Sequence, residues 1–531
     1  MRRVVGLDAV VGSREADQGA TRTVSTEGKG GGMSLMGVDI GSSRCKVVVF
    51  TSTGEVIAEA VANYTPNLPG PSMAEIDPDV LWRAVALAMR TASSEVEHDP
   101  VRAVGLSSHG ETFVPTNDQG EAIAPAILNV DSRANEEAAW WESCLGRESL
   151  FHITGLVVHP MYPMAKIQWM RTHEPELFAS TSRFVSISDY ILLRLGLPPF
   201  IAYSLASRFM AFDVRELRWS EGILGIAGLT GDRLPIPVPA GTTAGRLSRT
   251  VAAELGLSPD VPVVVGGHDQ PCGALGMGAI VPGMVTNSLG TYECLVCVTD
   301  QPSLDEASLA ASLNSYCHVV PGQYITIAYF PAGIMVKWFC DTFCGEDASE
   351  ARAEGLDLHE YLERMAPQGP TGLCVAPHLI GSGNPYFDPR ATGVVVGLNQ
   401  STNRYHIYKG CLEGIACELA NVVNVLADVV GPFDTIRCTG GGAKSRLGLQ
   451  LRAAIAGRRM QTLRHGEAVC LGAALLAGVS VGTYGSLQEA VERVVEVEET
   501  IEPEHELAEA YDKQIRQYRL LYPALAPLRE L

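Results

Sequence analysis

Short runs rich in Val and Ile alternate with longer stretches of helical periodicity over most of the chain, the pattern of an α/β protein. Residues 47–50, 101–106, 261–265 and 435–438 read as strands. Residues 78–93 read as a helix with Val80, Val85, Leu87 and Met89 near one face. Residues 445–456 read as another, with Leu447, Leu451, Ala454 and Ile455 spaced i, i+4, i+7, i+8. The longest strongly apolar stretches, such as 468–479, fall short of the roughly 18 residues that a membrane span needs.

An internal repeat runs through this pattern. Ile40-Gly41-Ser42-Ser43-Arg44-Cys45 followed by Lys46-Val47-Val48-Val49 lines up with Leu289-Gly290-Thr291-Tyr292-Glu293-Cys294 followed by Leu295-Val296-Cys297-Val298. Each reads as an apolar residue, a glycine, a hydroxyl residue, two variable positions, a cysteine and a Val-rich strand. A Val-rich chain can produce such a match by chance; a true repeat means two related α/β halves whose glycine turns face one cleft. The 531 residues would admit three or four domains at roughly 150 each, and the repeat reduces this to two, residues 33–282 and 283–531. Residues 1–32 are polar after a short apolar run and end in Gly-Lys-Gly-Gly-Gly, so they are expected to be a disordered extension.

Composition narrows the class. The net charge is -20, and no basic stripe is present to offset it, so nucleic acid is not an expected partner. The 13 cysteines are odd in number and lack framework spacing, which fits reduced thiols in a cytoplasm. Cys294 and Cys297 form a C-x-x-C, but strand alternation puts them on opposite faces, and Cys340 and Cys344 have no second ligand pair near them.

Four motifs carry candidate chemistry. In Gly37-Val38-Asp39-Ile40-Gly41-Ser42-Ser43, a glycine turn offers amides and hydroxyls to an anion while Asp39 can hold a hydrated Mg2+; an ordinary hairpin turn would read the same way. The strand at 261–265 runs through Gly266 and Gly267 to His268 and Asp269, at the carboxyl end where α/β proteins bind ligands. Asp269 there is either a helix N-cap or a general base. Thr439-Gly440-Gly441-Gly442-Ala443-Lys444 again joins a strand to a helix, and its three glycines allow a ligand close to the backbone. Finally, His109, Glu111 and Asp131 lie in polar segments after strands and suit a polyhydroxylated ligand, although solvated loops look alike.

The ordered set Asp39-Ile40-Gly41-Ser42-Ser43, Gly267-His268-Asp269-Gln270, Ser288-Leu289-Gly290-Thr291 and Gly440-Gly441-Gly442-Ala443-Lys444 resembles the FGGY carbohydrate kinases. So does Met161-Tyr162-Pro163-Met164-Ala165-Lys166-Ile167-Gln168-Trp169-Met170, as does the segment from Gly393 through His406 to Glu413, apart from Gly410 and Cys411. The resemblance implies two ribonuclease-H-like domains of the actin-like ATPase type flanking a catalytic cleft, and ATP-dependent phosphorylation of a sugar or polyol hydroxyl. It implies Asp269 as catalytic base, Asp39 as the carboxylate associated with Mg2+, Gly41, Ser42, Ser43, Gly290 and Thr291 as phosphate contacts, and Gly440, Gly441, Gly442, Ala443 and Lys444 as the adenosine site. His109, Glu111, Asp131 and Asp269 are the expected substrate contacts. The expected partners are ATP, Mg2+ and a small sugar or polyol, with no nucleic acid and no membrane; a homodimer is kept open.

Departures from the family pattern bear on the substrate. Gly110-Glu111 stands where glycerol kinases have Arg-Glu, and Met161 where they have a glycerol-contacting Tyr, so a fixed guanidinium is expected to be missing and glycerol is disfavoured. His109-Gly110-Glu111 also differs from the Met-His-Gly of xylulokinases. Asn129 to Arg133 and residues 330–344 resemble autoinducer-2 kinases, whose substrate is a linear polyhydroxy ketone. A ketose or related polyol is therefore the expected acceptor. A non-catalytic sugar- or nucleotide-sensing protein on the same scaffold is the alternative, and an actin-like reactivase a third reading.

Overall fold

The structure is a computed structural model that describes residues 33–96 and 98–529. The expected N-terminal extension, 1–32, lies outside the described residues.

The first half is built on a six-stranded sheet: β1 (Ser34–Ile40), β2 (Arg44–Phe50), β3 (Val56–Asn63), β4 (Val101–Ser108), β5 (Thr243–Arg246) and β6 (Pro262–His268), in the order β5-β6-β4-β1-β2-β3. The second half is built on seven strands: β7 (Val285–Leu289), β8 (Tyr292–Thr299), β9 (Asn314–Cys317), β10 (Tyr324–Pro331), β11 (Thr435–Thr439), β12 (Arg459–Leu463) and β13 (Val497–Ile501), in the order β9-β10-β8-β7-β11-β12-β13. Each sheet has an antiparallel three-strand meander, β1-β2-β3 or β7-β8-β10. Beyond each first strand the pairing is parallel, β1 with β4 and β4 with β6 in one sheet, β7 with β11 and β11 with β12 in the other. The four predicted strands fall inside β2, β4, β6 and β11, apart from Val261 just ahead of β6. The internal repeat is thus one topology used twice, with one change of register. Ile40 pairs with Cys45, whereas Leu289 pairs with Glu293, so the first turn is one residue longer. The matched cysteines are therefore not equivalent: fully buried Cys45 corresponds to Glu293, and Cys294 lies on the other face.

Helix α1 (Pro78–Ser94) starts where Asp77 accepts the amide of Asp79 and Pro78 occupies the first turn. Its buried stripe is Leu81, Val85, Ala88, Met89 and Ala92 at helical spacing. Leu87, expected on the core face, is 57% exposed, because it lies half a turn from that stripe. The signature segment around Lys166 forms α2 (Pro163–His173), α3 (Asp269–Gly276) follows β6, and α4 (Arg404–Val430) is the central helix of the second half. By length and composition α4 could cross a membrane, which corrects the expectation that no stretch is long enough. It is instead largely buried in the protein, and its carboxylates are bonded there: Glu413 to the Tyr511 hydroxyl (2.7 Å) and Glu418 to Tyr518 (2.6 Å) and His378 (3.1 Å).

The predicted helix at 445–456 is α5 (Arg446–Ala456), with Ser445 as N-cap through the amide of Gly448. Helix α6 (Ala468–Ser480) belongs to the second half by sequence but packs on the first sheet, where Leu471, Leu475 and Tyr484 join Leu35, Val48 and Phe50 in one apolar cluster. It crosses α3 backbone to backbone. A Cβ on Gly276 would lie 1.9 Å from the Ala468 carbonyl oxygen, and one on Gly472 1.9 Å from that of Cys272. The chain ends in α7 (His505–Ala524), which buries Tyr511 and Tyr518 on α4.

Candidate active site

The wholly buried β6 delivers His268 and Asp269 to the sheet's carboxyl end, where α3 begins. His268, not Asp269, is the N-cap residue, and no side chain caps the helix. Asp269 Oδ1 is buried without a hydrogen-bond partner, 3.1 Å from His268 Nε2. Burial, then the charge of Asp39, then that of Glu111, pushes the Asp269 carboxyl up to about 8. Burial also pulls His268 down to about 3, so its contact with Asp269 is not an ion pair. Its other nitrogen, Nδ1, meets the Tyr316 hydroxyl at 3.0 Å.

Asp39 and Asp269 line one cavity of about 190 Å3 with Arg44, Lys46, Ser288, Cys294, Thr439, Gly440 and Glu467. β1 brings Asp39 from one sheet, β7 and β11 bring Ser288 and Thr439 from the other, and Glu467 precedes α6. Burial raises Asp39 to about 6, with Arg44 opposing. Lys46 is held between Glu59 (2.9 Å) and Glu467 (2.6 Å), which ties β2 to the start of α6. Cys294 faces this cavity while Cys297 is buried in the core of the second half, as strand alternation requires.

The three glycine segments differ in what their backbones leave free; of them, Gly440 lines the cavity shared by Asp39 and Asp269. Gly41 and Gly290 spend their own amides inside the turns, on the carbonyls of Arg44 (2.9 Å) and Tyr292 (3.0 Å). Ser42, Ser43 and Thr291 are the groups at the tips. In the third segment Gly441–Lys444 forms a single 3-10 turn. Gly440 has φ +92°, and a Cβ there would lie 2.8 Å from the Leu289 carbonyl oxygen; one on Gly442 would lie 2.9 Å from Leu289 Cβ. Two of the three glycines are thus needed by packing on β7. Gly441 meets nothing within 4 Å and leaves open space, and Ala443 and Lys444 complete the turn.

In the loop of Gly110, which packs against His268, His109 has both ring nitrogens engaged, Nδ1 with the Ile40 carbonyl (2.9 Å) and Nε2 with Thr112 Oγ1 (2.8 Å). Asp131 is buried and accepts from the amides of Ala74 (2.7 Å) and Arg133 (3.0 Å) and from the Arg133 guanidinium. Both side chains, expected to touch an acceptor, therefore have their polar atoms bonded inside the protein. Glu111 sits at φ +62°. Its carbonyl is held by Lys166 Nζ (3.0 Å), which also bonds the Leu128 carbonyl (2.6 Å). The Glu111 carboxylate accepts from Arg208 Nε.

Arg208 corrects the expectation that a fixed guanidinium is missing. The chain brings one from a 3-10 turn, Ser207–Phe209, to the carboxylate that follows Gly110. A Cβ on Gly110 would lie 3.1 Å from both Arg208 and His268, so the arginine takes up room that a side chain there would need. Arg208, Tyr162, Tyr316 and Lys166 are the site residues that the motifs did not assign. The signature segment contained Tyr162 and Lys166; nothing in the sequence around Arg208 or Tyr316 marks them.

Residues 34–276 match the N-terminal domain, and residues 285–481 the C-terminal domain, of the FGGY family of carbohydrate kinases. The chain belongs to this family. Among its relatives are a gluconokinase of Bacillus subtilis, 27% identical over 458 residues that cover 85% of this chain and 88% of that protein. A xylulose kinase of Escherichia coli is 28% identical over 500 residues, covering 93% and 99%. The solved xylulose kinase of Rhodospirillum rubrum superimposes with a TM-score of 0.83 at 25% identity, covering 94% of this chain and all of that one. As an FGGY carbohydrate kinase, the protein is a phosphotransferase that uses ATP to phosphorylate a sugar. The two sheets are the two actin-like ATPase domains of that fold.

Proposed function

We propose that this FGGY kinase transfers the γ-phosphoryl group of ATP to a hydroxyl of a short ketose or related polyol, with Asp269 as general base. The observation that carries the reading is the buried, unpartnered Oδ1 of Asp269 in the cavity it shares with Asp39 and Gly440. Ionised Asp269 takes the proton of the acceptor hydroxyl as its oxygen bonds to the γ-phosphorus, and the bond from that phosphorus to the β–γ bridging oxygen breaks to release ADP. Neutral His268, fixed by Tyr316, limits where the carboxyl can point. Such transfer depends mainly on position and charge, and the residues divide accordingly. Ser42, Ser43 and Thr291 meet the phosphates from the two turns, and the space over Gly441, with Gly440, Gly442, Ala443 and Lys444 around it, takes the adenosine. Glu111 and Arg208 hold the acceptor, while His109 and Asp131 brace the loops behind it.

Two half-buried carboxylates, Asp39 and Asp269, facing a polar cavity fit Mg2+, which keeps most of its waters and takes only one or two protein oxygens beside nucleotide phosphates. Asp39 would hold that ion through water, and bound there it would neutralise charge on the transferring group. With 13 unpaired cysteines, mostly buried, the protein suits a reducing cytoplasm.

The relatives named xylulose kinase and gluconokinase favour a ketose or an aldonate over the autoinducer-2-type linear ketone. ADP release at saturating ATP, measured against ketoses, aldoses, polyols and sugar acids, tests the proposal. A ketose or polyol is expected to give the highest kcat/KM, and preferential turnover of a sugar acid would refute the acceptor class.

A further inference from the structure

The loop that packs against His268, beside Asp269, is organised by one charge pair. The Glu111 and Arg208 side chains are only 5% and 6% exposed, and they meet through Arg208 Nε. The guanidinium lies over the rings of Tyr162 and Tyr316, at 5.2 and 4.7 Å from their centroids. Its Nη1 is buried without an acceptor. A buried donor left unpaired is costly, so this one is kept for an oxygen that arrives with the ligand.

The charges around it decide which oxygen. Burial opposes ionisation of Glu111, but Arg208 holds its carboxyl below the ordinary range, so the pair carries one charge of each sign. His109 and His268 are held neutral by burial. Lys166, pulled down to about 7 by burial, spends its ammonium bonds on two carbonyls. The incoming phosphate, and Asp269 once it is ionised, add only negative charge. A carboxylate on the acceptor would find no uncompensated cation and several anions.

We propose that the Glu111–Arg208 pair determines acceptor choice: Arg208 Nη1 binds a carbonyl or hydroxyl oxygen of an uncharged sugar, and the Glu111 carboxylate excludes sugar acids. This rests on the ketose reading above. The test compares kcat/KM for D-xylulose and D-gluconate in the full-length wild type, Glu111→Gln, Glu111→Asp and Arg208→Met. The wild type is expected to favour the ketose by about 100-fold or more, and Glu111→Gln, which frees the guanidinium, to narrow that ratio at least about tenfold through a lower gluconate KM. Glu111→Asp keeps the charge and keeps the discrimination at reduced activity. Arg208→Met raises the ketose KM at least about tenfold and leaves the KM for ATP unchanged. A wild type that prefers gluconate overturns the ketose reading itself. A wild type that prefers the ketose, with the ratio unchanged in Glu111→Gln, overturns only the role of the pair. If Glu111→Gln fails to fold, Arg208→Met decides: proportional loss for both KM values overturns the assignment.

Discussion

Asp269 is held in the folded protein at a cost that its chemistry explains. Its carboxyl is raised to about 8 by burial, then by Asp39 and Glu111, whereas an unfolded chain ionises it near the ordinary 3.8. The stabilising contribution of the protonated form is therefore complete below about pH 4 and is lost as pH rises through about 8. Asn cannot ionise, so Asp269→Asn is expected to melt above the wild type by a margin that grows from pH 5 to pH 9 in thermal unfolding; a constant margin would contradict the raised carboxyl. The same group sets the rate profile: kcat/KM for the sugar should rise with pH to a plateau above about 8, because the free enzyme needs the ionised form. Lys166 acts differently, by holding the carbonyl of Glu111 at φ +62°. Lys166→Met leaves two buried carbonyls without their donor and should raise the sugar KM about tenfold while sparing the KM for ATP, measured in the coupled assay.

At the scale of elements, the glycines separate packing from ligand space. Gly440→Ala meets the Leu289 carbonyl at a positive φ and should lower the melting temperature. Gly441→Ala has room and should leave stability unchanged while raising the KM for ATP, because it fills the space proposed for adenosine. Equal effects on stability in the two variants would show that the segment is structural throughout. The α3–α6 crossing is stricter: Gly472→Val drives a side chain into the Cys272 carbonyl and should cost about 1–3 kcal/mol or more in denaturant unfolding.

These elements also show what could be read from the sequence. Strands β2, β4, β6 and β11 were legible because Val-rich runs between turn residues have few other uses, and so was the place of Asp269 at the carboxyl end of β6, because it follows such a run. The face of α1 was misjudged at Leu87, since several apolar residues fit more than one stripe. The cysteine match misled because a turn longer by one residue inverts the strand faces. Arg208 was not legible at all: its partner Glu111 lies 97 residues earlier, and only the fold brings them together.

For the whole molecule, one sheet topology used twice places Asp39 and Asp269 from the first half opposite Ser288, Thr439 and Gly440 from the second. Helix α6 crosses back to the first sheet, and Lys46 reaches Glu467 at its start, so the two halves meet directly beside the cavity. With a net charge of -20, overall attraction does not bring an anionic nucleotide there; Arg44, Lys46 and local backbone amides must do so. The measurement that tests this assignment most directly is ketose phosphorylation by Asp269→Asn, followed by ADP release with ATP binding measured in parallel. A fall in kcat of about 10^2 to 10^4-fold with ATP affinity retained is predicted. Near-wild-type turnover by that variant would contradict it.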